Sequence, residues 1–330
     1  MSVQTLSHMS SVPVASSAAP ALTRLRTWDR AFRWLTFSSA AAVLALLGSV
    51  IVVLIYGAMP ALKTFGIEFL FDESWNPVTE KFGALAPIYG TVLVALIAMA
   101  VAVPIGLGIA VFLSELCPAR LRAPIGIAIE LLAGIPSIIY GIWGLFVFAP
   151  FLQATLQPAL ITIFADVPWL SSLFGGPPYG IGVLTAGLVL AIMVLPFTAS
   201  VSRDVFASTP AVLKEAAYGV GATTWEVVRN VILPYARVGV IGAILLGLGR
   251  ALGETMAVTF VIGNAHRISA SILAPGTTIS ATIANEFTEA VGDLYTSSLV
   301  ALGLILFVIT FIVLAIARYM LLRLEKRAAR

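Results

Sequence analysis

The chain has 330 residues, of which 60% are hydrophobic and only 11% are charged, and its mean hydropathy is +1.03. Soluble domains carry about a quarter charged residues, so this composition excludes a soluble globular protein and indicates an integral membrane protein. The formal net charge of +3 is small and gives no reason to expect nucleic-acid binding.

Long uncharged runs predict six membrane-spanning helices, each longer than the roughly 20 residues that cross about 30 Å of hydrocarbon. In chain order, the predicted spans cover residues 36–58, 86–113, 124–149, 180–202, 238–263 and 296–320. Pro104, Pro136 and Pro196 are expected within spans, where membrane helices tolerate kinks. Strands of a membrane barrel would alternate apolar and polar residues, and these runs do not. The predicted fold class is therefore an all-α integral membrane protein.

The distribution of basic residues predicts the orientation in the membrane. Basic residues concentrate before the first span, between the second and third, between the fourth and fifth, and at the end of the sixth. The other side holds only Lys63, Lys81 and Arg267. Both termini are therefore expected in the cytoplasm. The predicted divisions are a disordered cytoplasmic tail at 1–33, the first span and an external loop at 34–83, a transmembrane domain at 84–322 with a cytoplasmic loop at 204–237, and a cytoplasmic tail at 323–330.

The sequence lacks the common signatures of catalysis. None of its four lysines follows a glycine, so there is no Walker A motif to cradle ATP phosphates. It also has no Gly-x-Ser-x-Gly elbow and no His-Glu-x-x-His pair. Cys117, His8 and His266 are its only cysteine and histidines, so the composition gives no support for a metal centre built on these ligands. We expect no catalytic residue and no cofactor, and transport powered by another protein is the favoured class.

The cytoplasmic loop is predicted to form a helix–turn–helix outside the membrane. Thr209 and Pro210 fit the N-cap and first position of a helix that runs to about Tyr218. Gly219 and Gly221 are expected to end that helix.

A second helix is predicted directly after this turn. Thr223 followed three residues later by Glu226 fits a capping box, and the helix is expected to stop by Pro234. Ala216 and Ala217 leave little side-chain bulk on the first helix, so that a partner could approach its backbone closely.

The same loop resembles the EAA loop of binding-protein-dependent ABC importer permeases. The matching positions are Glu215, Ala216, Ala217, Gly221, Val231, Leu233 and Pro234, with valine at 231 where the family more often has isoleucine. The resemblance implies the type I importer permease fold, with N and C termini inside. It also implies that the short helix docks in a groove of an ATPase subunit and transmits its movement. The alternative is an ordinary alanine-rich surface helix.

Apart from Arg318 at the end of the sixth, three charged residues lie within predicted spans. Arg250 is roughly 18 Å along the fifth predicted span, and Glu254 is expected one turn later on the same helix face. Glu130 lies within the third predicted span. A charge in the membrane is costly, so neither side chain should face lipid. Judged by this cost alone, a polar path for an anion and a buried Arg–Glu pair that neutralises itself explain the two charges equally well. In the first reading, the Arg250 guanidinium offers donors that match a tetrahedral oxyanion. For Glu130, the alternative is a side chain that reaches the membrane interface.

Further segments resemble phosphate-specific ABC importer permeases of the PstC type. They are residues 249–257 (GRALGETMA), 65–71 (FGIEFLF), 75–78 (WNPV) and 132–141 (LAGIPSIIYG). The resemblance implies that Arg250 and Glu254 take part in phosphate movement, with Glu130 a further candidate for the substrate pathway.

The expected function is thus that of an inner-membrane permease subunit forming half of the pathway of an ATP-driven phosphate importer. The expected partners are a second homologous permease subunit, an ATP-binding subunit dimer and an extracytoplasmic phosphate-binding protein. The alternatives are a permease for another oxyanion, such as molybdate or sulfate, and an ion-coupled secondary transporter. A membrane enzyme acting on lipid phosphate lacks the acid–base or metal residues it would need.

Overall fold

The computed structural model describes the backbone of residues 19–328 and the side chains of residues 28–323. Within this part of the chain, six helical segments are long and apolar enough to cross a membrane. They are Trp28–Leu70, Leu85–Leu116, Ser137–Ile163, Val183–Ala207, Thr224–Leu252 and Asp293–Arg323. The predicted all-α fold with six spans is confirmed, and the described residues add only a two-stranded hairpin to it.

The elements follow one another as helices joined by short turns. The α-helices are α1 Ala19–Phe65, α2 Leu85–Val111, α3 Ala119–Ala133, α4 Ser137–Trp143, α5 Ala149–Phe151, α6 Gln157–Ile163, α7 Pro168–Leu173, α8 Val183–Ala207, α9 Ala211–Gly219, α10 Thr224–Val227, α11 Leu233–Leu252, α12 Met256–Ile262, α13 Ile279–Glu286 and α14 Asp293–Ala328. A 3-10 turn covers Gly66–Leu70, and π turns cover Phe112–Leu116, Gly144–Phe148, Leu152–Leu156 and Val228–Ile232. In the hairpin, β1 Trp75–Asn76 pairs antiparallel with β2 Lys81–Phe82, and Trp75 lies opposite Phe82.

The first helix is longer than its sequence predicted. By its internal contacts the chain divides into residues 1–53 and residues 54–330. In the first unit, α1 already begins at Ala19, so residues 19–33 are helical. Residues 1–18 lie outside the described part, and the division at residue 33 stays a prediction. Pro20 suits a first helical turn, and the residues after it are mostly helix formers without glycine. At the other end α14 runs to Ala328, so residues 323–328 are helical where a tail was expected.

The third span covers Ser137–Ile163, where the sequence predicted residues 124–149. The sequence predicted one helix over 124–149, but α3 ends at Ala133 and a new helix starts at Ser137. Pro136 is the N-cap of α4, with extended backbone, instead of lying inside a helix. Proline lacks the N–H that a helix interior needs and disfavours helical backbone in the residue before it, so the helix stops there. Pro104 and Pro196, by contrast, lie inside α2 and α8 as predicted.

The fifth span is interrupted as well. The sequence predicted a helix over 238–263, but the continuous helix runs from Thr224 to Leu252 and is followed by the separate α12. Residues 253–255 break the path between them.

Within the second unit, α8 is the central helix. Nearly three quarters of its apolar stretch is buried, a far larger share than in the other spans. Its side chains pack with those of α2, α4, α11 and α12 in one apolar cluster. This core fixes the two interrupted helices, α3–α4 and α11–α12, beside the same central helix.

Candidate functional site

Residues 208–232, here called the α9–α10 segment, leave the end of α8 and enter the fifth span. The first turn of α9 differs from its prediction by one position. Pro210 is the N-cap, and Thr209 is buried, with a hydroxyl that finds no hydrogen-bond partner among the described residues. Thr209 points inward because it still belongs to the turn that ends α8. At the other end, α9 stops at Gly219, and Gly221 adopts φ +89°, a left-handed conformation that favours glycine.

The predicted capping box is confirmed. The Thr223 backbone N–H donates to Glu226 Oε2 at 2.8 Å, and the Glu226 N–H donates to Thr223 Oγ1 at 3.4 Å. The prediction that this helix stops by Pro234 is wrong. The π turn Val228–Ile232 precedes Pro234, which sits in the first turn of α11. A proline in a first turn needs no N–H partner, so the helical path continues into the membrane.

The α9–α10 segment has a packed face and an open face. Ala217, Ala222, Val227 and Ile232 pack with Phe206 at the end of α8 in one apolar cluster. The opposite face is exposed. Its members are Val212, Glu215, Ala216, Tyr218, Val220 and Trp225, with Val220 87% and Trp225 65% exposed. The Glu215 carboxylate makes no ion pair within the described residues.

An ion pair anchors α9 to the end of α2. Lys214 Nζ lies 2.6 Å from Glu115 Oε1, and these side chains are only 18% and 8% exposed. Sequence reasoning missed the pair because its members are 99 positions apart. Of the predicted EAA positions, Ala217 and Leu233 face the packed cluster, while Glu215, Ala216 and Pro234 are exposed.

Arg250 and Glu254 stand at the interruption of the fifth span. Arg250 lies in the last turn of α11 and is exposed, and Glu254 follows in the break. The prediction that they share one helix face is wrong, because the helix ends at Leu252. Glu254 Oε1 accepts a hydrogen bond from the Ala257 N–H at 3.3 Å, at the start of α12. Each charge therefore lies at the helix end whose dipole stabilises it.

The described residues show no ion pair between Arg250 and Glu254. The reading of these two charges as a buried pair that fixes packing therefore loses its basis. An exposed guanidinium with its donors available remains at this point of the chain.

The break between α3 and α4 lies beside the helices of the second interruption. Tyr140 OH donates to the Leu132 carbonyl at 2.8 Å, bridging residues 134–136. A Cβ placed on Gly141 would lie 3.1 Å from the Met256 carbonyl oxygen, so the backbones of α4 and α12 approach closely. Interrupted helices of this kind offer backbone groups and helix ends to an ion inside a membrane.

Glu130 forms an ion pair with α8. Its Oε1 lies 2.8 Å from Arg203 Nη2 on α8, and the same nitrogen lies 3.1 Å from Asp204 Oδ1. The structure thus joins Glu130 to Arg203. No local pattern could have indicated this pair, which spans 73 positions.

A second polar group, the Glu286 cluster, lies on the predicted extracytoplasmic side and consists of Trp75, Phe82, His266, Glu286 and Tyr295. Glu286 accepts hydrogen bonds from Trp75 Nε1 at 2.6 Å and Tyr295 OH at 2.8 Å, and lies 2.7 Å from His266 Nε2. The His266 ring stacks on Trp75, and Tyr295 stacks on Phe82. Burial raises the pKa of Glu286, but the hydrogen bonds from His266, Tyr295 and Trp75 outweigh it and hold the pKa below its usual range.

Comparisons with known proteins agree with this architecture. Residues 102–326 match the family described as "Binding-protein-dependent transport system inner membrane component". The chain is 66% identical over 314 residues to the phosphate transport system permease protein PstC of Mesorhizobium japonicum, covering 95% of this chain and 96% of that one. It is 56% identical to the PstC of Pasteurella multocida, covering 91% and 93% of the two chains.

Two solved transporters share the fold. A bacterial alginate ABC transporter in complex with a pentasaccharide-bound periplasmic protein aligns at a TM-score of 0.59 and 16% identity, covering 89% of this chain and 96% of that one. An inward-facing MetNI methionine ABC transporter aligns at a TM-score of 0.53 and 17% identity, covering 72% and 94%. At these identities the likeness concerns the fold alone. The chain belongs to the binding-protein-dependent transport system inner membrane components and, among them, to the PstC permease family.

Proposed function

We propose that this chain is the permease subunit of an ATP-driven phosphate importer in the inner membrane. The observation that carries the proposal is the 66% identity, over 95% of the chain, to a phosphate transport system permease protein. The chain forms one half of the pathway, and a second homologous permease subunit forms the other half. An ATP-binding subunit dimer hydrolyses ATP, and an extracytoplasmic phosphate-binding protein delivers the substrate.

Arg250 is the proposed phosphate contact within the membrane. Its side chain is exposed at the end of α11, where the helix is interrupted. A guanidinium offers a planar fork of donors that matches a tetrahedral oxyanion and stays charged at every relevant pH. Glu254 is half-buried and bonded to the start of α12. Its negative charge limits how long an anion stays near Arg250.

Glu130 is the weakest of the three predicted pathway residues. Its bond to Arg203 supports a structural role at the predicted cytoplasmic side, holding α3 against α8. A direct phosphate contact for Glu130 remains a prediction.

The open face of the α9–α10 segment is the proposed docking surface for the ATPase. Its exposed apolar side chains and the unpaired Glu215 support this assignment, since solvent-exposed aromatic and aliphatic groups favour burial against a partner. Gly221 and the capping box hold the turn, and Leu233 and Pro234 continue it into the fifth span. Movement of the ATPase therefore reaches Arg250 along one helix.

The decisive experiment measures labelled phosphate uptake by the assembled transporter in proteoliposomes. Arg250→Gln removes the charge and is expected to lower uptake by about 100-fold, as the loss of a preorganised charge-stabilising donor does elsewhere. Arg120→Gln, an exposed arginine outside the proposed pathway, serves as the matched control and should leave uptake unchanged. Wild-type uptake by Arg250→Gln, with the complex assembled, would contradict the proposed role.

The same assay separates the other candidate functions. Because a guanidinium fits any tetrahedral oxyanion, competition by molybdate or sulfate at equal concentration decides the substrate. Phosphate uptake that continues without the ATPase subunit would instead support an ion-coupled secondary transporter.

A further inference from the structure

A basic cavity lies where the predicted cytoplasmic ends of α2, α3 and α8 meet the first turns of α9. Its volume is about 480 Å³, and three cationic side chains line it: Arg122, Arg203 and Lys214. The residues that line it include Ser114 but no carboxylate. We call it the Arg122 cavity.

The three cations keep hydrogen-bond donors available. Among the described residues, the Arg122 guanidinium makes one bond, from Nη2 to the Cys117 carbonyl at 3.4 Å. Arg203 uses Nε and Nη2 for Glu130 and Asp204. A guanidinium has five N–H donors and an ammonium has three, so each of these groups can still donate to a ligand.

Three carboxylates outside the cavity lining pair with two of its three cations. Arg203 contacts Glu130 and Asp204, which are 51% and 67% exposed, so solvent weakens these two pairs. Glu115 is buried but bonded to Lys214 from outside the cavity lining. Arg122 has no carboxylate partner among the described residues. Arg122 is therefore the cavity's charge that a ligand can neutralise, while Arg203 and Lys214 supply further hydrogen-bond donors.

We propose that the Arg122 cavity binds a phosphate group, carried either by inorganic phosphate or by the head group of an anionic phospholipid. Its volume far exceeds the roughly 10–15 Å³ that holds one water molecule on the same measure, which leaves room for a phosphate group. Basic pockets between spans at the cytoplasmic interface suit such head groups, and arginine suits the phosphate oxygens. The inference rests on the cavity itself and is independent of the transport role of Arg250.

Binding at this place joins three parts of the molecule. Arg122 belongs to α3, Arg203 to α8 and Lys214 to α9, and the ligand contacts all three. A bound phosphate group therefore restrains α9, the helix that the Lys214–Glu115 pair already anchors. Occupancy slows the local motion of α9 relative to the spans.

The test uses amide hydrogen exchange of the full chain in lipid nanodiscs, read over residues 119–123 and 211–219. One arm adds inorganic phosphate to phosphatidylcholine nanodiscs, with chloride at equal ionic strength as reference. The other arm replaces part of the phosphatidylcholine by phosphatidylglycerol in phosphate-free buffer. At least one arm should slow exchange about threefold or more in both segments. Arg122→Gln removes one charge-assisted contact, so the apparent affinity for the protecting ligand, phosphate or phosphatidylglycerol, should weaken about tenfold.

Two variants make the result specific. Arg120→Gln removes an exposed charge two residues away that does not line the cavity, and it should keep the protection. Arg250→Gln should also keep it, which separates this site from the proposed pathway. Protection by inorganic phosphate identifies a free anion as ligand, and protection by phosphatidylglycerol alone identifies a lipid head group. No protection in either arm, or an equal loss in Arg120→Gln and Arg122→Gln, would overturn the proposal.

Discussion

The α9–α10 segment and the Glu286 cluster differ in whether their charged and aromatic side chains have partners within the chain. The segment leaves Glu215 unpaired and Trp225 and Val220 largely exposed. In the Glu286 cluster, one carboxylate collects three side-chain partners, and two pairs of rings stack. The first region is stabilised by a capping box and one ion pair to Glu115, whereas the second joins side chains from the hairpin, the segment after α12, α13 and α14 around one carboxylate. A region that leaves such groups unpaired is suited to a partner, and one that pairs them is suited to holding the fold.

This contrast predicts that the two regions respond differently to substitution. Changes in the Glu286 cluster should appear in the free energy of unfolding. Changes on the open face of the α9–α10 segment should appear in transport. The following four substitutions are ordered by their expected effect on the unfolding free energy of the isolated chain.

Glu286→Gln should give the largest loss. It replaces the carboxylate that three side chains contact, and hydrogen bonds to a charged group contribute about 1.5–3 kcal/mol, so a loss of about 2–3 kcal/mol is expected. Thermal and denaturant unfolding in detergent measure it. Glu289→Gln, an exposed acid three residues later, is the matched control and should change stability by less than about 0.5 kcal/mol.

The same variant carries a pH signature. The pKa of Glu286 is held below its usual value in the folded chain, so its contribution is fully present above the unfolded pKa of about 4.3. That contribution is lost as the pH falls through the lower, folded pKa. The stability difference between wild type and Glu286→Gln should therefore shrink as the pH falls below about 4. A difference that is unchanged in strong acid would contradict the assigned hydrogen bonds.

Gly221→Ala should give the next largest loss of unfolding free energy, about 1–2 kcal/mol. The backbone at residue 221 has φ +89°, a left-handed conformation that is unfavourable for a residue with a Cβ. Gly219→Ala is a close control, since a Cβ meets no atom within 4 Å at either position, but Gly219 is helical. That substitution should be neutral or stabilise by up to about 1 kcal/mol. Equal effects of the two substitutions would show that backbone strain does not define this turn.

Thr223→Ala removes one half of the capping box and should cost about 1 kcal/mol. Thr224→Ala, one position later and without a capping bond in the described residues, should cost less. Hydrogen exchange of residues 224–227 is the sensitive readout, since the loss of a cap frays the first turn of α10. Unchanged exchange in Thr223→Ala would show that packing alone holds this turn.

Glu215→Gln should have the smallest effect on stability, within about 0.5 kcal/mol, because the carboxylate is exposed and unpaired. In the assembled transporter it should lower phosphate uptake or the recovery of the ATPase subunit on purification. Unchanged association and uptake in both Glu215→Gln and Glu215→Arg would remove the basis for assigning the open face to the ATPase.

The sequence predicted features that depend on composition or on a few neighbouring residues. Six apolar stretches gave the number of spans, and the spacing of Thr223 and Glu226 gave the capping box. Where a local backbone break overrode hydropathy, the boundaries were wrong. A new helix starts at Ser137, and α11 ends at Leu252 before Glu254, although both stretches stay apolar enough to be read as one helix.

Contacts between distant residues were out of reach of sequence reasoning. Lys214–Glu115 and Arg203–Glu130 join separate helices, and no pattern along the chain marks the partners. Their charge within an apolar stretch marked Arg250 and Glu254 as candidates, and the family resemblance favoured phosphate, yet their geometry differs from the expected helix face. Their proposed roles now rest on two helix ends instead of one i, i+4 pair.

The helical path from Thr224 to Leu252 has a mechanical consequence. It spans 29 residues without a break, so it is a rod about 43 Å long. If its first turn is held and the rod tilts by about 5°, Leu252 moves by about 4 Å. This displacement is longer than the donor–acceptor distance of a hydrogen bond, about 3 Å. The π turn at Val228–Ile232 lies near the base of this rod, where a small change of angle is amplified most. A modest displacement at the cytoplasmic end can thus make or break every contact of the Arg250 side chain.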